Sequence, residues 1–213
     1  MKKYHKIQTV FKRDPETNHK TLLKGVYSRP EFEYLKDNDW TFTEKVDGTN
    51  IRVMWDGQNI TFNGKTDNAQ MPAQLVTKLQ EKFLTQVELF KETFGVEGGV
   101  CLYGEGYGAG IQRGGGNYRQ DKDFVLFDIK IGDFWLQRKD IFEISSKFKI
   151  DIVPIVGIGP LSEMISTVRN GLKSTWGDFP AEGLVARPTT ELRARNGQRI
   201  ITKLKCKDFE RGE

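Results

Sequence analysis

The segment Glu44-Lys45-Val46-Asp47-Gly48-Thr49-Asn50 is the most informative of this chain for chemistry. Lys45 stands at the end of a strand-like stretch and just before a glycine turn, so its amine can point into a cleft instead of bulk water. An unperturbed lysine has a pKa of about 10.4 and is protonated at neutral pH; lowering that by about 3 units takes about 4 kcal/mol of differential interaction. Nearby positive charge supplies such a push. Lys203 and Lys205 are two apart in Ile200-Ile201-Thr202-Lys203-Leu204-Lys205, so on a strand they project from one face. From there they disfavour a protonated Lys45 and attract phosphate. Taken singly, Lys45 also reads as a solvated turn lysine and the pair as an exposed polar strand face.

Several further residues join this set. Glu105 ends a strand in Tyr103-Gly104-Glu105-Gly106, and Glu182 begins another in Glu182-Gly183-Leu184-Val185. Phe127 lies in the buried run Phe124-Val125-Leu126-Phe127-Asp128-Ile129. The bland readings are turn carboxylates and a core phenylalanine. Other chemistries lack their parts. Gly64-Lys65-Thr66 ends like a phosphate-binding loop, but the first glycine of that motif is replaced by Asn59. The run from Gly104 to Gly110 lacks the third glycine of a dinucleotide fingerprint, which would fall at Ile111, and no helical pattern follows it. His5 and His19 lie in no element with a clear pattern, which gives a histidine-centred triad no support. Cys101 and Cys206 have no partner at ligand spacing, against both a zinc site and a disulfide framework.

The elements that must carry these residues follow from periodicity. Asn50–Trp55 alternates, Asp56-Gly57 marks a hairpin turn, and Asn59–Asn63 returns. Pro72–Phe94 is the clearest helix, with Leu75, Val76, Leu79, Phe83, Val87 and Phe90 at helical spacing and Gly95 as its stop. Strands are expected at Gly99–Glu105, Asp123–Ile131 and Glu182–Arg187, and from Leu192 to Asp208 folded about Asn196-Gly197; helices at Arg138–Phe148 and Leu161–Leu172. Hairpins outnumber strand–helix–strand units, so the expectation is an α+β domain with a mainly antiparallel sheet and helices packed on it.

At 213 residues, with 37% hydrophobic and 29% charged residues, the chain has the material for a real core and none of the composition of a disordered polyelectrolyte. No apolar run approaches the roughly 18 residues of a membrane span, and the basic N-terminus is not followed by a signal core. A cytoplasmic protein with no membrane partner is the expectation. The net charge of +4 is localised: residues 1–29 carry eight Lys/Arg against two acids, and residues 187–211 eight against three. Two basic segments on a nearly neutral body suit a phosphate-rich partner or a merely solvated surface.

In their order along the chain, Lys45-x-Asp47-Gly48, Glu105, Phe127, Glu182 and Lys203-x-Lys205 resemble the motifs of the covalent nucleotidyltransferase superfamily of polynucleotide ligases and capping enzymes. The Glu-Lys-x-x-Gly-Thr-Asn form is most similar to ATP-dependent RNA ligases of the phage and RNA-editing type, over residues from about 40 to 207. That resemblance implies a nucleotidyltransferase (ATP-grasp-like ligase) core. It implies Lys45 as the residue adenylylated by ATP with Mg²⁺ (or Mn²⁺), with Lys203 and Lys205 also catalytic. It further implies Glu44 and Asn50 as flanking nucleotide-site residues, Glu105 on the ribose, Phe127 stacked on adenine, Glu182 near the metal, and Lys65 where an arginine is usual. The substrates would be RNA 5′-phosphate and 3′-hydroxyl ends. A minimal ATP-dependent DNA ligase, a capping guanylyltransferase and a non-catalytic RNA-binding protein on a ligase core are the alternatives. The division expected is a basic segment at 1–40 packed on an adenylyltransferase domain at 41–213, with no C-terminal oligonucleotide-binding domain, a monomer, and RNA gripped by Lys12, Arg13, Lys20 and Lys24.

Overall fold

The computed structural model of the protein describes residues 3–210. Along the chain come β1 (Gln8–Thr9), β2 (Phe11–Arg13), β3 (Leu22–Tyr27), α1 (Pro30–Tyr34), β4 (Trp40–Glu44), β5 (Thr49–Trp55) and β6 (Ile60–Asn63). Then follow α2 (Ala73–Phe83), α3 (Val87–Phe94), β7 (Val100–Gly108), α4 (Gly115–Tyr118), β8 (Lys122–Ile131), β9 (Phe134–Trp135) and α5 (Arg138–Phe148). The last elements are β10 (Ile155–Gly159), α6 (Leu161–Arg169), β11 (Gly183–Pro188), β12 (Thr202–Lys205) and α7 (Lys207–Glu210). The fold is α+β, with mainly antiparallel sheets flanked by helices, as the alternation in the sequence predicts. The described residues form two compact units, each assembled from separate stretches of chain.

One unit joins the N-terminal residues up to His5 with Asp47–Val153. Its sheet has the order β6-β5-β7-β8-β9, antiparallel throughout. Period-two alternation sends Ile51, Val53 and Trp55 into a core with Leu102, Leu126 and Ile129, closed by Leu75, Leu79 and Phe83 of α2, Phe90 of α3 and Phe148 of α5. Asn50 and Arg52 project from the other face. The single helix expected over Pro72–Phe94 is broken by a 3₁₀ turn at Leu84–Gln86. There the Gln86 amide donates to the carbonyls of Lys82 (2.6 Å) and Phe148 (3.2 Å). Phe83 and Phe90, on either side of the break, share one aromatic cluster, their centroids 6.3 Å apart.

The other unit joins Lys6–Val46 with the chain from Pro154 onward. Its main sheet runs β1-β12-β11-β4-β10, with β1 parallel to β12 and the other pairs antiparallel; β2 and β3 form a separate hairpin. One face buries Trp40, Phe42, Leu184, Ala186 and Leu204 against Phe32 of α1 and Leu161, Met164 and Val168 of α6. No helix among the described residues is long and apolar enough to cross a membrane.

Candidate active site

Strand register sorts the candidate residues of the second unit by face. Thr43, Val185 and Lys203 form one row across β4, β11 and β12, and Glu44, Leu184 and Leu204 the next. Adjacent rows point to opposite faces of a sheet, so Glu44 shares the core side with Leu184 and Leu204. Beyond it the Lys45 backbone N–H donates to the Gly183 carbonyl (2.9 Å), and Gly183 is opposite Lys205. Glycine is required at 183: its φ is +153° and a Cβ there would lie 2.1 Å from the Leu204 carbonyl oxygen.

This packing delivers Glu182 to the lysines. Lys45 Nζ donates to Glu182 Oε2 at 2.5 Å, and Lys205 Nζ pairs with Glu182 Oε1 at 2.5 Å. Burial alone would raise the Glu182 pKa, but the charges and hydrogen bonds of Lys45 and Lys205 outweigh it and hold the carboxyl below its ordinary value. Lys203 is pushed down to about 8, first by desolvation and then by the positive charges of Lys45 and Lys205. The positive charges of Lys45 and Lys205 thus add to the effect of burial on Lys203.

Glu44 is tied into its own unit. Its side chain, buried at 1% exposure, accepts from Ser174 Oγ (2.6 Å), Thr175 N (2.7 Å) and Thr175 Oγ1 (2.8 Å). Both carboxylate oxygens are committed, and on the face opposite Lys203. The geometry makes Glu44 a brace between the strand that leads into Lys45 and the loop that leads into Glu182. Nothing at sequence level marks Ser174 and Thr175 as its partners.

In the first unit, Asn50, Glu105 and Val125 are register partners across β5, β7 and β8, followed by Arg52, Tyr103 and Asp128. A bulge in β8 falls between the partners of Tyr103 and Gly104 and leaves Phe127 as the extra residue, half-buried. The Asn50 Oδ1 is buried with no hydrogen-bond partner among the described residues. A buried acceptor in that condition fits a site that receives a ligand donor. Gly48 passes so close to β7 that a Cβ would meet the Gly106 carbonyl oxygen at 2.3 Å and the Glu105 side chain at 2.8 Å. The turn it belongs to is pinned by the loop after β7: Gln112 Nε2 donates to the Gly48 carbonyl (3.0 Å), and the Asp47 N–H donates to the Tyr118 hydroxyl (3.2 Å).

Lys65 is exposed on the turn after β6. The guanidinium beside that turn is Arg52, 1% exposed, which donates to the Gly64 carbonyl (2.9 Å) and to Asp67 (2.7 Å). A charged residue inside an apolar strand, two after Asn50, is a signal the sequence did carry. Tyr4 is another residue that sequence reasoning missed. Its ring lies 5.0 Å from Phe127, edge to face, and its hydroxyl donates to Asp128 Oδ2 (2.7 Å). His5, which has no pattern in sequence, packs 4.4 Å from Tyr4.

No group of three or more His, Cys, Asp or Glu side chains among the described residues forms a protein metal cage. One carboxylate, Glu182, is what the lysine cluster offers a cation. That donor set fits Mg²⁺ held by one carboxylate together with substrate phosphates.

The fold is shared with solved RNA ligases at low sequence identity. A Naegleria gruberi RNA ligase mutant without ligand matches with a TM-score of 0.67 at 16% identity, over 100% of this chain and 60% of that one. A mutant of the same enzyme with ATP and Mn matches at 0.68 and 17%, over 96% and 56%, and another with ATP and Mn at 0.64 and 17%, over 83% and 52%. The chain thus spans a little over half the length of these structures. Residues 38–205 match the RNA ligase family model, and the chain belongs to that family.

Proposed function

We propose that this chain is an ATP-dependent RNA ligase whose residues 41–213 are its adenylyltransferase part. The observation that carries the proposal is the Lys45–Glu182–Lys205 cluster with Lys203 beside it, Lys45 just after β4, Glu182 just before β11 and the two other lysines on β12 of a family member. In the first step the neutral amine of Lys45 attacks the α-phosphorus of ATP; a P–N bond forms, the bond to the β-phosphate oxygen breaks, and pyrophosphate leaves. Lys45 must first part from Glu182 and give its ammonium proton to solvent, and the attacking nitrogen releases a second proton to solvent as the phosphoramidate forms. Lys203 and Lys205 stabilise the negative charge on the triphosphate. Asn50 and Glu105 hold the nucleotide, the latter at the ribose, and Phe127 stacks on the base. Lys65, exposed on its turn, is a phosphate contact. Glu182 would hold Mg²⁺, which supplies charge neutralisation to the leaving pyrophosphate when bound.

AMP then passes to an RNA 5′-phosphate, and a 3′-hydroxyl displaces it to make the phosphodiester. Solved Naegleria gruberi RNA ligase structures are with ATP and Mn or with AMP and Mn, which supports ATP and a divalent ion here. The test is covalent labelling with α-labelled ATP or GTP, followed by sealing of RNA or DNA nicks by the labelled protein. Labelling by ATP alone and sealing of RNA supports the proposal. Labelling by GTP would indicate a capping-type enzyme, sealing of DNA alone a DNA ligase, and no labelling a binding protein.

A further inference from the structure

The basic stretch after β11 is not uniform in what its charges do. Arg187 is buried in β11, and Arg199, 5% exposed, is locked to Glu191 through Nε (2.5 Å) and Nη2 (3.0 Å). Lys203 and Lys205 belong to the lysine cluster. Arg193 and Arg195 are different: both are exposed, and neither makes an ion pair or a side-chain hydrogen bond among the described residues.

They are nonetheless held on an ordered hairpin. Ile200 N donates to the Leu192 carbonyl (3.1 Å), Arg193 bridges to Arg199, Ala194 N donates to the Gln198 carbonyl (2.7 Å), and Gly197 N to the Ala194 carbonyl (2.8 Å). Asn196 Oδ1 accepts from Gln198 N (3.0 Å). The base of the hairpin is fixed by the Glu191–Arg199 pair, by Arg29 donating to the Arg199 carbonyl (3.2 Å), and by Leu192 packing on the core. Two unpaired arginines on a preorganised support lose little freedom when they meet a ligand. By contrast, Arg13, one of the N-terminal charges expected to grip RNA, is paired with Asp208 at 2.8 Å and donates to the His19 and Lys20 carbonyls.

The position of the hairpin says what the ligand is. It joins Pro188, the far end of β11, to Thr202, the far end of β12, whereas Gly183 and Lys205 mark the lysine-cluster end. Five residues of strand at about 3.3 Å each separate the two ends by about 17 Å. Phosphates recur about every 3.4 Å of axis along one strand of a duplex, so a strand ending at Lys45 covers that distance within roughly five nucleotides. We propose that Arg193 and Arg195 clamp the phosphate backbone of the RNA a few nucleotides from the reacting end, by charge-assisted hydrogen bonds of the planar guanidinium. This rests on the RNA ligase reading of the lysine cluster.

The experiment uses the full chain, a nicked RNA duplex, and the double variant Arg193→Ala/Arg195→Ala, with Arg193→Lys/Arg195→Lys as the charge-keeping control. Binding is measured as a function of salt, and lysyl-AMP formation from ATP is measured separately. Losing two phosphate contacts on a duplex should make the slope of log K against log salt shallower by about 1.8, with the lysine variant close to the parent and the lysyl-AMP yield unchanged in all three proteins. A slope unaltered in the alanine variant would overturn the proposal, as would an equal loss of lysyl-AMP formation. Absence of lysyl-AMP in the parent protein would instead refute the ligase reading, while the salt slope still reports on the arginines.

Discussion

Lys45 and Glu182 are held in contact by their backbones as well as their charges: the Lys45 N–H is bonded to the carbonyl of Gly183, the residue after Glu182, and its Nζ stands 2.5 Å from the carboxylate. The Lys45 amine is thus parked on an acid. The same carboxylate carries Lys205 on its other oxygen, so the charge balance of the cluster depends on one residue.

Stability should therefore respond to acid through Glu182. Its pKa is lower in the folded protein than the ordinary value of about 4.3. Its contribution is fully present above that ordinary value and is lost as the pH falls through the lowered one. Glu182→Gln should cost about 2 kcal/mol near neutrality, the range for charge-assisted hydrogen bonds. The gap between parent and variant should close as melting temperatures are followed down the acid limb. A gap that stays constant to pH 2 would argue against these ion pairs.

Lys203 predicts an alkaline effect. With its folded pKa lowered to about 8, the unfolded state binds more protons between that value and about 10.4, so this group makes stability rise with pH across the window. If Lys203 faces the triphosphate as proposed, the same deprotonation removes a charge from its binding site. ATP affinity measured in chelator, where chemistry is blocked, should weaken as the pH rises through about 8. Lys203→Arg stays charged and should lose that inflection; an unchanged inflection would assign it elsewhere.

The brace at Glu44 is testable by coupling. Glu44→Ala leaves the donors of Ser174 and Thr175 unsatisfied and should destabilise the fold by about 2–4 kcal/mol. In a double-mutant cycle of Glu44→Gln with Ser174→Ala, chemical denaturation should show an interaction energy above about 0.5 kcal/mol. Additivity of the two changes would remove the brace.

How much of this could be read in advance varies by residue, for physical reasons. The hairpin of β5 and β6 about Asp56-Gly57 and the helix over Arg138–Phe148 are local, governed by alternation, turn residues and a 3.6-residue period, and both are where the sequence predicts them. The facing of Lys203 and Lys205 follows from period two alone. Glu44 escaped because the strand period says only that it points away from Lys45; its partners lie 130 and 131 residues along the chain. Tyr4 on Asp128, 124 residues apart, has no local signature either. The division into units built from separate stretches is equally invisible to a linear pattern.

Phe127 is only half-buried, at a bulge on the face that carries Asn50 and Glu105. Phe127→Ala should weaken ATP binding by about 1–3 kcal/mol, the range for a base on an aromatic platform, while Phe127→Tyr stays mild. A large drop in melting temperature with ATP affinity preserved in the folded variant would make Phe127 a packing residue.

Covalent adenylylation of Lys45 is read out by intact-mass spectrometry. After incubation with ATP and Mg²⁺ the protein should gain the mass of one adenylyl group, released again by added pyrophosphate, and Lys45→Ala should show no gain. An adduct of equal yield in Lys45→Ala, or none in the parent protein under conditions where it binds ATP, would rule out Lys45 as the adenylylated residue.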